Sequence, residues 1–411
     1  MSDNLTEIAA VPYLPLIGLA PLMRRAFNQQ ELTSLANALL ARAKEHPDDA
    51  CAYLDCSTVL QLSGERAIAL QMQAEAIRMQ ALYKLPANQI APGLRLLVVM
   101  GPGDLMSNTP VEFLLEESDV AVDLLYLTLD TTWPATVPEH DVMLVAMAES
   151  DANQPLLALL AQLIPQWPRP VINPPTAIAG LTRDGVCATL RGAPGLEMPV
   201  TLRIERDALL AFSRARAAPD VLLPGDDFPW IVRPLGSHAG HDLERIAGHD
   251  ELAAYLERVP AERFYLSRFV DYSSADGQFR KYRVALIDGQ SYLCHYAISS
   301  HWMVHYLNAG MNESPTKRAE EAEAMTAFDG GFALRHAGAL RAIQDRLGLA
   351  YLGVDCAETR DGKLLVFEAD NAMIVHAMDP VDLYPYKQPA MRKVFAAFRQ
   401  MLEQRRTVPA A

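Results

Sequence analysis

Near the C-terminus, Tyr351-Leu-Gly-Val-Asp355-Cys-Ala-Glu358 and Leu364-Leu-Val-Phe-Glu368-Ala-Asp370-Asn371 are two short apolar runs that carry acidic residues. Arg360-Asp361-Gly362-Lys363 has turn composition and predicts a hairpin between them. In that hairpin Asp355, near the start of one strand, lies beside Glu368, near the end of the other. Apolar strands have no packing reason to bring carboxylates together, and an unpaired buried charge is expensive, so the pair calls for a cation. Hard oxygen ligands without neighbouring Cys or His pairs point to Mg²⁺, which prefers carboxylates together with phosphate oxygens. The chemistry expected there is that of a magnesium–nucleotide site.

Upstream residues could complete it. Trp230-Ile-Val-Arg233 reads as a strand entering the loop Pro234-Leu-Gly236-Ser237-His238-Ala239-Gly240-His241. Backbone N–H groups of such a loop, with the fork of Arg233, suit phosphate; the plainer reading is a solvated turn with an ordinary ion pair. Phe264 to Asp271 is apolar and then acidic, a pattern able to offer an adenine edge its backbone and a ribose hydroxyl Asp271. Lys281 and Arg283 share one strand face at i, i+2 and suit either an anionic substrate or a charged solvent face. His301 and His305 could share a metal only on a helix, and no Glu lies between them as in HExxH.

The elements that must position these residues follow from periodicity. Helical spacing covers about 31–45, 50–62 and 65–83, with breaks at His46-Pro47-Asp48-Asp49 and Ser63-Gly64. Strand runs at Leu94–Met100, Val122–Leu127, Asp141–Met147 and Pro170–Ile172, with helices at Thr109–Glu117 and about 153–164, predict a parallel α/β unit. Gly101-Pro-Gly103 between them lacks both GxGxxG and a Walker lysine and reads as a tight structural turn. Beyond Pro175 the pattern is α+β: a helix over Thr176–Leu190, strands at Val200–Ile204, Trp230–Arg233, Phe264–Val270, Tyr282–Ile287 and Tyr292–Ile298, then helices at 250–258, 317–325, 333–347 and 388–405. Asp250 is the expected N-cap of the first of those four helices.

The chain has 411 residues, of which 50% are hydrophobic, enough for two or three packed domains. Its formal charge of −14 argues against nucleic-acid binding as the main function. Five scattered cysteines without a CxxC read as reduced thiols of a cytoplasmic protein, and the apolar stretch Val11–Met23 is too broken by prolines to span a bilayer.

In order, these features resemble the ATP-grasp superfamily, in particular the glutathione-synthetase-like and RimK-like ligases. Matching stretches include Pro170-Val-Ile-Asn-Pro-Pro175, Leu181-Thr-Arg183-Asp184, Gly192-Ala-Pro-Gly195 and Tyr282-Arg283-Val-Ala-Leu-Ile-Asp-Gly289. Leu62, Gly64, Ala74 and Pro86 give the N-terminal helices a tetratricopeptide-like look, suited to a helical cap or a homodimer contact. The resemblance implies three regions: 1–90 helical, 91–175 a pre-ATP-grasp α/β domain, and 176–411 a two-subdomain ATP-grasp fold. It implies that Arg233, with Gly236 and Ser237, touches a nucleotide phosphate, and that Ser267, Arg268, Phe269, Val270 and Asp271 form the adenine and ribose side. Arg283, Lys281 and Asn308 become the catalytic candidates, and Asp355, Glu368 and Asp370 or Asn371 the Mg²⁺ ligands. Arg233 stands where lysine is usual, and Glu368-Ala-Asp370 where Glu-x-Asn is usual. The activity implied is ATP- and Mg²⁺-dependent joining of a small-molecule or peptide carboxylate to an amine through an acylphosphate. A degenerate binding scaffold and a phosphotransferase remain alternatives.

Overall fold

A computed structural model describes residues 13–89, 91–130, 137–237 and 240–406, with the side chain of Leu307 excepted. His238 therefore lies outside the described residues. The architecture is mixed: N-terminal helices, a mainly parallel α/β sheet, and two antiparallel sheets with flanking helices. Among the described residues no helix is long and apolar enough to cross a membrane.

Helices Thr33–Glu45, Ala50–Leu62 and Arg66–Met79 follow the short helix Leu19–Phe27. The expected helix over 65–83 stops early. Leu82–Leu85 is a strand that pairs antiparallel with Val120–Tyr126. Tyr83 explains the change: its ring is fully buried, and its hydroxyl donates to the Ala76 carbonyl at 2.9 Å. Strands Leu94–Met100, Val120–Tyr126, Val142–Val145 and Val171–Ile172 run parallel. The Gly101 backbone is clasped by Asn108, whose amide accepts from its N–H at 2.9 Å and donates to its carbonyl at 2.8 Å. That turn is closed on itself.

The smaller antiparallel sheet orders Thr201–Glu205, Arg263–Arg268, Trp230–Pro234 and Glu244–Ile246. Its inner face packs Trp230, Val232, Phe264 and Leu266 on helices Arg206–Ala215 and His249–Arg258. The larger sheet orders Gln290–Ser299, Phe279–Ile287, Tyr351–Glu358, Leu364–Asp370 and the short edge Leu196–Glu197. One of its faces shares a continuous core with the parallel unit, through Val284, Leu286, Leu352 and Val354 against Leu97, Val99, Met143 and Val145. The closing helix Lys387–Arg406 fills the other side with Met391, Val394 and Phe398.

Four further expectations shift. The helix over 176–190 breaks at Gly180–Thr182; Thr182 caps a new helix, Arg183–Leu190, by accepting from the Gly185 N–H at 3.0 Å. The helix over 333–347 divides at His336, whose ring meets Glu358 at 2.9 Å. Asp250 lies inside its helix and pairs with Arg216 at 2.7 Å, because the chain already turns helical at His249 after Gly248. Thr109 does not open a long helix either. Only Val111–Leu114 is helical, and the Thr109 hydroxyl instead donates to the Asn371 carbonyl at 2.9 Å.

Two buried carboxylates dock the N-terminal helix. Asp55 accepts from the N–H groups of Ile17 and Gly18 at 2.9 and 3.1 Å, and Glu112 from those of Leu19 and Ala20, both at 2.9 Å. Burial pushes Glu112 up to about 7 against the pull of those N–H groups, and Asp55 up to about 6. A carboxyl whose folded pKa exceeds its unfolded value binds more protons when folded, so its contribution is lost as pH rises through the folded pKa. Thermal midpoints are therefore expected to fall from pH 5 to pH 8. Glu112→Gln should flatten that slope by removing about 1–3 kcal/mol of pH-dependent stability. Unfolding scans across this range check it.

Candidate active site

The polar side chains of the larger sheet form a row. Strand register sets His295 opposite Arg283, Arg283 opposite Asp355, and Asp355 opposite Glu368. Period-two alternation sends Lys281 to the same face as Arg283. Gly353 leaves room beside the row: a Cβ there would meet the Met373 side chain at 2.7 Å.

The Asp355 carboxylate is the centre. Arg283 grips it through Nε at 2.8 Å and Nη2 at 3.0 Å, and Lys281 Nζ adds a contact at 2.9 Å. Burial alone would raise its pKa, but Arg283 and Lys281 overcome that and hold it far below the usual carboxylate range. Arg283 also donates from Nη1 to the Ile374 carbonyl at 3.2 Å. Glu368 pairs with Arg183 at the start of its Thr182-capped helix. There too burial works against ionisation, and Arg183, Arg233 and Arg283 together outweigh it.

Asp370 differs. It accepts from the Ala372 N–H at 2.9 Å but forms no ion pair among the described residues. Burial, and then the charge of Glu368, push its pKa up to about 6. Asn371 is buried and turned to the parallel unit, its amide N–H groups reaching the Met147 carbonyl at 3.0 Å and Thr109 at 3.3 Å. Its Oδ1 is buried without a hydrogen-bond partner. Among the described residues no three His, Cys, Asp or Glu side chains gather into a metal-holding group. The donors nonetheless suit Mg²⁺, being hard carboxylate oxygens, one of them on a side chain without an ion pair among the described residues.

The smaller sheet presents a second row, with Arg203 and Arg233 each opposite Tyr265. Arg203 is neutralised by Asp184 at 2.8 Å. Arg233 is not neutralised. Its side chain is buried, donates to Ser237 through Nε at 3.1 Å, and makes no ion pair among the described residues. Burial and then the nearby charge of Arg183 pull its pKa down to about 10, while Glu368 opposes them. Gly236 takes φ +71°, the left-handed conformation that lets the chain turn back so that Ser237 meets Arg233.

The other expected residues lie on strand Arg263–Arg268 and in the segments after it. Ser267 stands opposite Ile231 and Thr201 in the strand. Arg268 pairs with Glu197 and Asp226, and Asp271 with Arg360 at 2.9 Å. Phe269 lies under the Arg245 guanidinium and edge-on to Trp302, and Val270 packs at the Tyr272–Leu365 cluster. Asn308 lines a cleft of about 720 Å³ together with Arg245, Trp302 and Met303. Residues 301–305 are not helical, so His301 and His305 share no helix face.

Three residues of the site were missed in sequence. Arg183 was visible only within Leu181-Thr-Arg183-Asp184, where Thr182 and Gly185 hold a capping signal. His295 faces the row because a bulge shifts register beside Arg283, and His376 comes from an irregular segment with no pattern to read.

No protein-family model and no curated protein matches the chain. Solved structures with similarity include a RimK domain ATP-grasp protein from Sphaerobacter thermophilus DSM 20745, at 16% identity and TM-score 0.45 over 75% of this chain and 99% of that one. VanG D-Ala:D-Ser ligase from Enterococcus faecalis gives 12% identity and TM-score 0.46 over 75% and 99%. The ATP-grasp ligase PsnB, complexed with its minimal precursor, gives 16% and 0.43 over 76% and 99%.

Proposed function

We propose that this chain is an ATP- and Mg²⁺-dependent ligase of the ATP-grasp type, joining a carboxylate to an amine through an acylphosphate. The observation that carries this reading is the buried, unpaired guanidinium of Arg233 close to Arg183, across from a row of carboxylates. A buried cation without an ion pair is costly, and two neighbouring guanidiniums that share the single carboxylate of Glu368 favour a multiply charged anion such as a polyphosphate. The ordered motifs of residues 92–400 support the same reading, with 1–90, 91–175 and 176–411 as its helical, pre-ATP-grasp and ATP-grasp regions.

In this mechanism Arg233 and Arg183 bind phosphate oxygens. Glu368, Asp370 and Asp355 are the Mg²⁺ holders, and the ion, when bound, neutralises charge on those oxygens. Arg283 orients the acid. A substrate carboxylate oxygen attacks the γ-phosphorus and ADP leaves. The amine nitrogen then attacks the acyl carbon, the carbon–oxygen bond to phosphate breaks, and the nitrogen loses a proton. Lys281 and Arg283 stabilise the oxyanions formed along the way, a fixed-charge role that needs no protein nucleophile.

One observation favours a second reading, a binding scaffold without turnover: both oxygens of Asp355 are already held by Arg283 and Lys281. Phosphate release that requires both an acid and an amine supports the ligase. Release with acid alone identifies a phosphotransferase, and ATP binding without release a scaffold.

Arg233→Gln is expected to weaken ATP·Mg²⁺ binding about 10- to 100-fold, as loss of a charge-assisted contact implies. Arg233→Lys should restore part of it, and titration calorimetry reads both. Asp370→Asn is expected to raise the Mg²⁺ concentration needed for half-maximal turnover about tenfold, with ATP affinity at saturating Mg²⁺ little changed. Metal titrations of phosphate release measure that shift.

A further inference from the structure

The row ends, away from Glu368, at a pair of imidazoles. The His295 and His376 ring centroids are 5.4 Å apart. His295 is 7% exposed, and its Nδ1 is buried without a partner. His376 Nδ1 accepts from the Met378 N–H at 3.1 Å, so the neutral ring carries its proton on Nε2. Arg283 joins the two histidines: it lies opposite His295 in the sheet and donates to the Ile374 carbonyl just ahead of His376.

The surrounding charges are of both signs and paired, Lys281 and Arg283 with Asp355, and Lys387 with Glu321 and Asp379. Burial, Lys387 and Arg283 keep His295 neutral, and burial, Lys387, Arg283 and Arg24 outweigh Asp379 to push His376 down to about 4. Imidazoles kept neutral chiefly by burial are poor proton acceptors. They are well suited to donate neutral N–H bonds to an anionic oxygen, as a guanidinium beside them supplies the charge. The adjoining wall is apolar. Phe27, from the N-terminal helix, meets the His376 ring at 5.5 Å and is half-buried, as is Ile374.

Resting on the ligase reading, we propose that the acid substrate binds at this end, its carboxylate on Arg283 and the His376 Nε2–H and its apolar side chain against Phe27 and Ile374. The substrate class is then a carboxylic acid with an apolar side chain, and the N-terminal helix selects it.

The probe is phenylacetate, compared with acetate, titrated into the full chain with histidine ring resonances followed by NMR. Phenylacetate is expected to shift the His376 and His295 signals and to bind at least tenfold more tightly than acetate. His376→Phe should weaken it about tenfold with ATP·Mg²⁺ affinity unchanged, His376→Gln should recover most of that loss, and Phe27→Ala should narrow the gap between the two acids. Phenylacetate that fails to bind a protein competent for ATP·Mg²⁺, or that binds without sensing His376→Phe and His376→Gln, overturns the proposal. Phenylacetate seated on His376 in a protein that does not bind ATP·Mg²⁺ overturns the ligase reading and leaves the carboxylate site standing.

Discussion

The grip of Arg283 and Lys281 on Asp355 is the constraint around which the site is arranged. Asp355 lies on an interior strand of the larger sheet, where water cannot stabilise its charge. Removing one partner of such a buried pair leaves an uncompensated ion and typically costs about 3–5 kcal/mol. The two-point contact also aligns three strands: Arg283 is tied by register to His295 on one side and Asp355 on the other, and by Nη1 to the segment after Asn371. Every other polar group of the row takes its position relative to that fork.

From that centre the row is electrostatically uneven. Toward Glu368 and Asp370 negative charge accumulates, and Asp370 has no cation among the described residues. Arg233 is a buried cation that feels the charge of Glu368 but forms no ion pair among the described residues. The two mismatches are complementary, but they belong to different sheets and do not form an ion pair with each other. A protein that only needed stability would have paired them or made both apolar, since half-satisfied buried polar groups are destabilising. On the proposed ligase reading, the two mismatches suit a ligand that carries both signs of charge, as a magnesium-bound polyphosphate does.

Much of this was legible in the chain, for reasons that differ by residue. The hairpin carrying Asp355 and Glu368 is a local structure whose two strands follow from one turn and two-residue alternation, although a bulge between Asp355 and Cys356, which leaves no periodic trace, is what sets Asp355 opposite Glu368. Lys281 and Arg283 were legible from the same alternation. Helix ends were less so, because tertiary contacts decided them: Tyr83 chose burial in a strand edge over another helical turn, and Thr109 serves Asn371, 262 positions away, instead of capping a long helix. Arg268 and Asp271 had types and spacing that suited a nucleotide edge, and the ion pairs they form with Glu197, Asp226 and Arg360 were not visible in sequence. Such partners come from distant parts of the chain and leave no periodic trace.

The same non-local contacts make the N-terminal helices part of the site and not an appendage. Glu112 and Asp55 hold four successive N–H groups at the entry to helix Leu19–Phe27, and Gly18 adopts φ +90° against the Glu112 carboxylate, where a Cβ would come within 2.6 Å of Oε2. That docking sets Phe27 against His376. The neighbouring Thr109 and Met147 carry the contact onward to Asn371, directly after Asp370. Parallel unit, N-terminal helix and carboxylate hairpin are thus joined by buried hydrogen bonds that would each be costly to leave unmade. Displacing the helix would expose Phe27 and free the 374–378 segment, which in turn anchors Arg283 through Ile374. The fork at the centre of the sheet is therefore held from outside it, and the helices at the start of the chain are physically coupled to the residues near its end.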